Sequence, residues 1–143
     1  ARYGIGWGSI GAAMAVYEAS LKYSKERIQF DKPIASFQLV QDKLVWMLNE
    51  ITKGQLIALQ VGKNKDNKTL KFQQVSMIKR NNVWVARECC KIARDIHGAN
   101  GVSGEYPIMR HLMNIESVYT YEGTHDMHTL ILGNDITDIP SFE

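Results

Sequence analysis

The stretch Tyr119-Thr120-Tyr121-Glu122-Gly123-Thr124-His125-Asp126-Met127-His128 decides how this chain is read. It marks the passage from an irregular segment into a helix that runs to about Asp138. Gly123 permits a tight backbone turn. Thr124 is suited to cap the first free amides, and Asp126 sits favourably against the positive end of the helix dipole. Glu122 therefore stands just ahead of a helix N-terminus, among aromatic rings. A carboxylate placed there is easily desolvated, which raises its affinity for a proton and makes it a usable general base. Taken alone, a Glu ahead of a helix is ordinarily a solvated charge or a cap.

Upstream of this stretch the periodicity predicts helices. From Tyr3 to Gln29, Ile5, Ala12, Val16, Ala19 and Tyr23 share one stripe. Gly4, Gly8, Gly11 and Ala15 form a second stripe of small residues that invites close approach. Each helical glycine costs roughly 1 kcal/mol against alanine, a cost that close packing would offset. Arg2 lies at the entrance of this helix. Pro33 forbids its continuation and biases Lys32 toward extended geometry. Ser36 reads as the cap of a second helix from about Phe37 to Gly62, with Phe37, Val40, Leu44, Met47, Ile51 and Ala58 on one face, widened by Val45, Leu48 and Leu59. Residues 62–68 read as a charged solvent loop.

A third helix is expected from Phe72 to His97, buried along Val75, Ile78, Val85, Ala86, Cys89, Ala93 and Ile96. Lys79, Arg80, Arg87, Glu88, Lys91 and Arg94 are expected on its other faces. Gly98-Ala99-Asn100-Gly101 suits a C-cap and a left-handed turn. Pro107 opens a short fourth helix packing Ile108, Leu112 and Met113. Residues 115–118 are expected to cross into the opening stretch. The last helix is expected to pack Met127, Leu130, Ile131 and Ile136. No repeat and no long alternating pattern is present. The expected fold is all-α: an antiparallel bundle of three long and two shorter helices.

The totals bound the function. The 143 residues make one domain. A net charge of +2, without a basic cluster interleaved with aromatics, points away from nucleic acid. The apolar run from Tyr3 to Val16 is too short and glycine-rich for membrane insertion, which needs about 20 apolar residues. The adjacent Cys89 and Cys90 point in different directions on a helix and read as buried free thiols. His125 and His128 lack a third ligand at matching spacing, so no metal is expected. The start at Ala1, without methionine, suggests a piece of a longer chain.

Tyr121-Glu122-Gly123-Thr124 followed by a helix resembles the active-site segment of the acyl-CoA dehydrogenases, and Thr120 to Ile131 is most similar to the glutaryl-CoA dehydrogenase branch. Three further motifs agree in order: Arg2-Tyr3-Gly4-Ile5, Arg27 to Pro33, and Asp95 to Gly101. Asp31 stands where the family usually has Gly, Asp95 where it more generally has Gln, and Ala99 where it has Gly. The resemblance covers residues 1–143 and corresponds to the family's C-terminal helical domain, without its N-terminal helical and middle β domains.

The resemblance implies an FAD-dependent oxidation of an acyl-CoA thioester, glutaryl-CoA foremost. Glu122 would remove the α-proton while the β-hydrogen leaves as hydride to FAD. The backbone amide of Glu122 and a ribityl hydroxyl would stabilise the enolate oxygen. Arg27, Phe30, Gln38, Asp95, Ile96, His97, Gly98, Ala99 and Thr124 would contact FAD, several of them that of a neighbouring subunit. An arginine suits a pyrophosphate because its planar fork donates two hydrogen bonds at once. Arg2, Gly123 and Phe142 would contact the CoA substrate. Glutaryl-CoA dehydrogenases also decarboxylate their intermediate, using residues largely outside this domain. Implied partners are electron-transfer flavoprotein and further copies of the chain, in a tetramer built as a dimer of dimers. The implied setting is bacterial cytoplasm or mitochondrial matrix. A short-chain acyl-CoA oxidase and a catalytically silent helical oligomerisation module are the alternatives.

Overall fold

A computed structural model describes residues 1–142. Five α-helices make the fold: α1 (Arg2–Glu26), α2 (Gln38–Asp66), α3 (Phe72–His97), α4 (Ile108–Thr120) and α5 (His125–Thr137). A hairpin of two-residue strands, β1 (Ile28–Gln29) and β2 (Lys32–Pro33), joins α1 to α2, pairing Ile28 with Pro33 and Gln29 with Lys32. Phe30 and Asp31 both take left-handed conformations at its tip, which explains why α1 stops at Glu26 rather than Gln29. The all-α expectation holds.

Helix α3 is the centre, because it packs against each of the other four helices. Its buried seam carries Ile78, Val83, Val85, Ala86, Cys89, Cys90, Ala93 and Ile96. Burial pushes both thiols up to about 12, as befits packing residues. The α1 seam is Gly6, Ser9, Ile10, Ala13, Val16, Ser20 and Ser24; it shares Val16 with the expected stripe, whose Ile5, Ala19 and Tyr23 pack half-buried along its edge. Its hydroxyls turn back on their own helix: Ser9 donates to the Ile5 carbonyl and Ser20 to that of Val16, both at 2.7 Å. Self-satisfied serines therefore pack where the periodicity had no apolar signal.

The glycines that bring helices together are Gly6 and Gly54. A Cβ at Gly6 would lie 2.6 Å from the Ile78 side chain, and one at Gly54 would lie 2.4 Å from Ile10. Fully buried Asn82 donates from Nδ2 to the Gly6 and Gly54 carbonyls, each at 3.1 Å, and so ties α3 to α1 and α2. Gly4, Gly8 and Gly11 face open space instead.

Other expectations shift for local reasons. Ser36 does not cap α2; its hydroxyl donates to the Pro33 carbonyl at 2.8 Å inside a 3-10 turn. Helix α2 continues to Asp66 through the lysine-rich segment, because lysines are good helix formers and suit the negative C-terminal end. Val45, Leu48 and Leu59 are exposed, since Leu44, Met47, Ile51, Gly54, Ala58 and Val61 already fill the inner face. Residues 115–118 belong to α4, whose buried residues are Ile108 and Ile115, with Met113 exposed. On α5 the buried residue is His128, while Met127 and Ile136 face outward. No helix among the described residues is long and apolar enough to cross a membrane.

Candidate active site

The turn between α4 and α5 is shaped by two consecutive left-handed residues, Glu122 with φ 57° and Gly123 with φ 91°. For a non-glycine residue this conformation costs about 1–2 kcal/mol, so surrounding contacts must hold it. Helix α4 closes with the Tyr121 amide donating to the Ser117 carbonyl at 2.9 Å. Beyond the turn, Thr124 Oγ1 accepts from the Met127 amide at 3.1 Å and Asp126 occupies the first turn of α5, as its N-terminal signals require.

Three donors from separate elements grip the turn's carbonyls. Arg2 Nε donates to the Glu122 carbonyl at 2.9 Å, and His128 Nε2 lies 3.2 Å from the same oxygen. A carbonyl only accepts, so His128 carries its proton on Nε2, leaving its buried Nδ1 without a partner. Lys79 Nζ donates to the Gly123 carbonyl at 2.6 Å. Lys79 is 1% exposed and His128 is fully buried. Burial pushes the Lys79 ammonium down from its ordinary range; nearby Arg2 pushes the same way and Glu122 opposes. Burial likewise keeps His128 neutral, despite its bond to Glu122.

Lys79 corrects the expectation of an outward-facing cation. Its position between Val75 and Val83, four residues from each, falls on the buried seam, so the spacing carried the signal and the charge concealed it. His128 offered only a weaker sign, three residues before Ile131 on one helix face.

The Glu122 carboxylate itself is not dried by this chain: its side chain is 44% exposed, with Oε2 3.9 Å from Arg2 Nε. It opens into a 360 Å³ groove with Arg2, Tyr3, Lys65, Leu70 and Val75. Behind the turn, Tyr121 borders a second groove of 220 Å³ between α1 and α4, lined by Ile5, Gly8, Ser9, His111, Asn114 and Val118. The chain thus supplies a fixed carboxylate beside open space, and any dry surroundings must come from something laid against it.

At the other end of the bundle, Arg27, Asp95, Ile96, His97, Gly98 and Ala99 converge on a 310 Å³ cleft, joined by Tyr23, Gln29, Ile34 and Asn100. Gly98 is left-handed, and a Cβ on Gly101 would lie 2.3 Å from the Arg94 carbonyl, so the turn is packed onto its own helix. His97 is buried, stacks on Tyr23 at 4.3 Å and bonds through Nδ1 to the Ala93 carbonyl at 2.8 Å, while its Nε2 has no partner. Lys43 pairs with Asp95 and holds its carboxyl below the usual carboxylate range; Arg94 Nη2 adds a contact at 3.2 Å.

Phe30, Gln38 and Phe142 do not line this cleft. Phe30 is 77% exposed at the hairpin tip, edge-on to Phe37 at 6.2 Å, and Gln38 is exposed at the start of α2. Phe142 borders a separate cleft with Phe72, Ile131 and Asp138. Along α3, Lys79 at the Glu122 turn and Asp95 at the cleft are sixteen residues apart, about 24 Å at helical rise. One chain does not bring the two regions together. Among the described residues no group of three or more His, Cys, Asp or Glu is placed to hold a metal ion.

The fold recurs in known proteins. The chain is 34% identical over 129 residues to the glutaryl-CoA dehydrogenase of Desulfococcus multivorans, covering 90% of this chain and 33% of that protein. The fold superposes with a TM-score of 0.97 on a glutaryl-CoA dehydrogenase from Mycobacterium smegmatis, at 50% identity over 99% of this chain and 37% of that one. A glutaryl-CoA dehydrogenase from the same organism in complex with FADH2 also gives 0.97, at 40% identity and the same coverages. The chain therefore spans about a third of the length of the relatives it matches. Residues 1–137 match the family described as "Acyl-CoA dehydrogenase, C-terminal domain", and the chain belongs to that family.

Proposed function

We propose that this chain is the base-bearing C-terminal domain of an FAD-dependent acyl-CoA dehydrogenase acting on glutaryl-CoA, with N-terminal helical and middle β domains elsewhere in the protein. The observation that carries the reading is the Glu122 turn: a carboxylate on a backbone fixed by Arg2, His128 and Lys79, facing an open groove, in a chain of this family.

In this reading the Glu122 carboxylate takes the α-proton of the thioester. The developing enolate charge falls to the Glu122 amide, which has no backbone acceptor among the described residues. Arg2 holds the Glu122 carbonyl and borders the groove, where it orients the thioester beside Gly123. Phe142 and Thr124 are proposed to contact CoA and flavin respectively, a reading supported only by the family resemblance.

The Arg27 cleft fits an FAD pyrophosphate on two counts. It offers a guanidinium fork and an Asp95 whose charge is offset by Lys43 and Arg94. The bound flavin would supply the acceptor for the β-hydrogen as hydride. The roughly 24 Å between cleft and Glu122 supports different subunits contributing to each FAD. Exposed Leu39, Val45, Leu48, Leu56 and Leu59 on α2 supply apolar surface for a tetramer. Electron-transfer flavoprotein is the proposed electron acceptor. The exposure of Glu122 favours a second statement: this domain alone is catalytically silent.

The test assays the full-length protein with glutaryl-CoA, with and without an artificial electron acceptor, beside Glu122→Gln. Acceptor-dependent turnover, lost in Glu122→Gln while FAD stays bound, is expected. Near-normal activity of the variant refutes Glu122 as base, and equal turnover on oxygen alone indicates an oxidase.

A further inference from the structure

The grip on the α4–α5 turn assigns a task to a side chain that the reaction does not otherwise call for. Lys79 lies on the α3 seam with Ser76, Asn82 and Val83, where an apolar side chain would avoid the desolvation of an ammonium. Its stem crosses from α3 to a carbonyl 44 residues away in sequence, the one immediately after Glu122.

Peptide units are planar, so fixing a carbonyl fixes the whole unit. Arg2 and His128 fix the unit between Glu122 and Gly123, and Lys79 fixes the next one. With both units held, Gly123 keeps its φ of 91°, and the peptide unit that follows the Glu122 Cα cannot swing. Arg2 is half exposed, whereas Lys79 grips from the buried side, shielded from competing water. The two contacts differ in kind, and the buried one persists when the groove is open.

We propose that Lys79 is a positioning residue for Glu122: its buried ammonium holds the Gly123 carbonyl, locks the left-handed turn, and keeps the carboxylate at the groove it shares with Arg2 and Tyr3. This rests on the reading of Glu122 as base. Lys79 touches neither substrate nor flavin in this assignment. Its effect is on the probability that the carboxylate is in line with the α-proton, and a misplacement of about 1 Å is enough to cost roughly 100-fold in rate.

The test uses the FAD-loaded full-length protein with Lys79→Met, which keeps the stem and removes the donor, and Lys79→Arg, which restores one. For Lys79→Met, kcat should fall by about 10- to 100-fold with KM within threefold, the isotope effect with α-deuterated substrate should rise, and FAD occupancy should be unchanged. Lys79→Arg should recover part of kcat. A crystal structure of Lys79→Met should show Gly123 away from its φ of 91° and the Glu122 carboxylate displaced from the groove. If Lys79→Met does not fold, Lys79→Gln, a shorter neutral donor, is read by the same measures. Unchanged kcat and isotope effect in a folded variant, or Gly123 and the Glu122 carboxylate unmoved in its structure, overturns the proposal. Should the wild-type protein fail to oxidise any acyl-CoA, the base reading itself falls, and the crystallographic arm still decides whether Lys79 sets the turn.

Discussion

Arg2 donates from Nε to the Glu122 carbonyl at 2.9 Å, joining the first turn of α1 to the α4–α5 turn across 120 residues of chain. Both side chains are about half exposed, so their 3.9 Å ion pair is screened and adds little to stability. Its value lies in placement. Arg2→Ala in the full-length protein should shift unfolding free energy by no more than about 1 kcal/mol. Its kcat/KM should fall by about tenfold or more. Urea denaturation beside steady-state kinetics separates the two effects, and parallel losses would show that Arg2 serves the fold alone.

Arg27 reaches the Asp95–Asn100 cleft from the end of α1. Arg27→Ala should release FAD from the full-length protein, with a dissociation constant raised about tenfold or more, since a bidentate charged donor is lost. Dialysis followed by flavin absorbance measures this. Retention as tight as wild type would remove Arg27 from the cofactor site.

Two glycines three residues apart, Gly101 and Gly104, separate close packing from open space: a Cβ on Gly101 would meet the Arg94 carbonyl at 2.3 Å, and one on Gly104 would meet nothing within 4 Å. Backbone cannot rotate away as a side chain does, so Gly101→Ala should destabilise by about 1–3 kcal/mol. Gly104→Ala, with nothing within 4 Å, should stay within about 0.5 kcal/mol. Equilibrium denaturation of both variants checks the contrast.

Burial holds His97 and His128 neutral in the fold, with proton affinities below the ordinary imidazole value of 6.5. As pH falls below about 6.5, the unfolded chain takes up protons that the folded one refuses, so stability declines until the folded histidines also titrate. The denaturation midpoint should therefore drop between pH 7.5 and pH 5.5. In His128→Gln the decline should be shallower, because one of the four histidines whose proton affinity burial lowers (His97, His111, His125 and His128) no longer contributes; an unchanged slope would show that His128 does not drive it.

Much of the fold was legible from residue pattern. The limits of α3 at Phe72 and His97 follow from its apolar period and the glycine run after it, and Thr124 caps α5 as its chemistry requires. Gly123 was readable as a turn residue, and Arg27 with residues 95–99 was readable as one neighbourhood through family likeness. The errors fall where packing between helices, rather than the apolar period, decides which face is buried. Ser9, Ser20 and Ser24 pack because their hydroxyls bond to their own helix. Val45 and Leu59 stay outside because the inner face of α2 was already full.

The sequence by itself determined the helices, the family, and the residue types that bear on acyl-CoA chemistry, because those depend on local period, capping and motif order. Only the tertiary structure decided what holds Glu122. That Lys79 is interior, that His128 bonds through Nε2, and that Arg2 closes the same turn are products of α1, α3 and α5 meeting at one place. A buried ammonium is favourable only with its carbonyl partner in reach, and that partner lies 44 residues further along the chain.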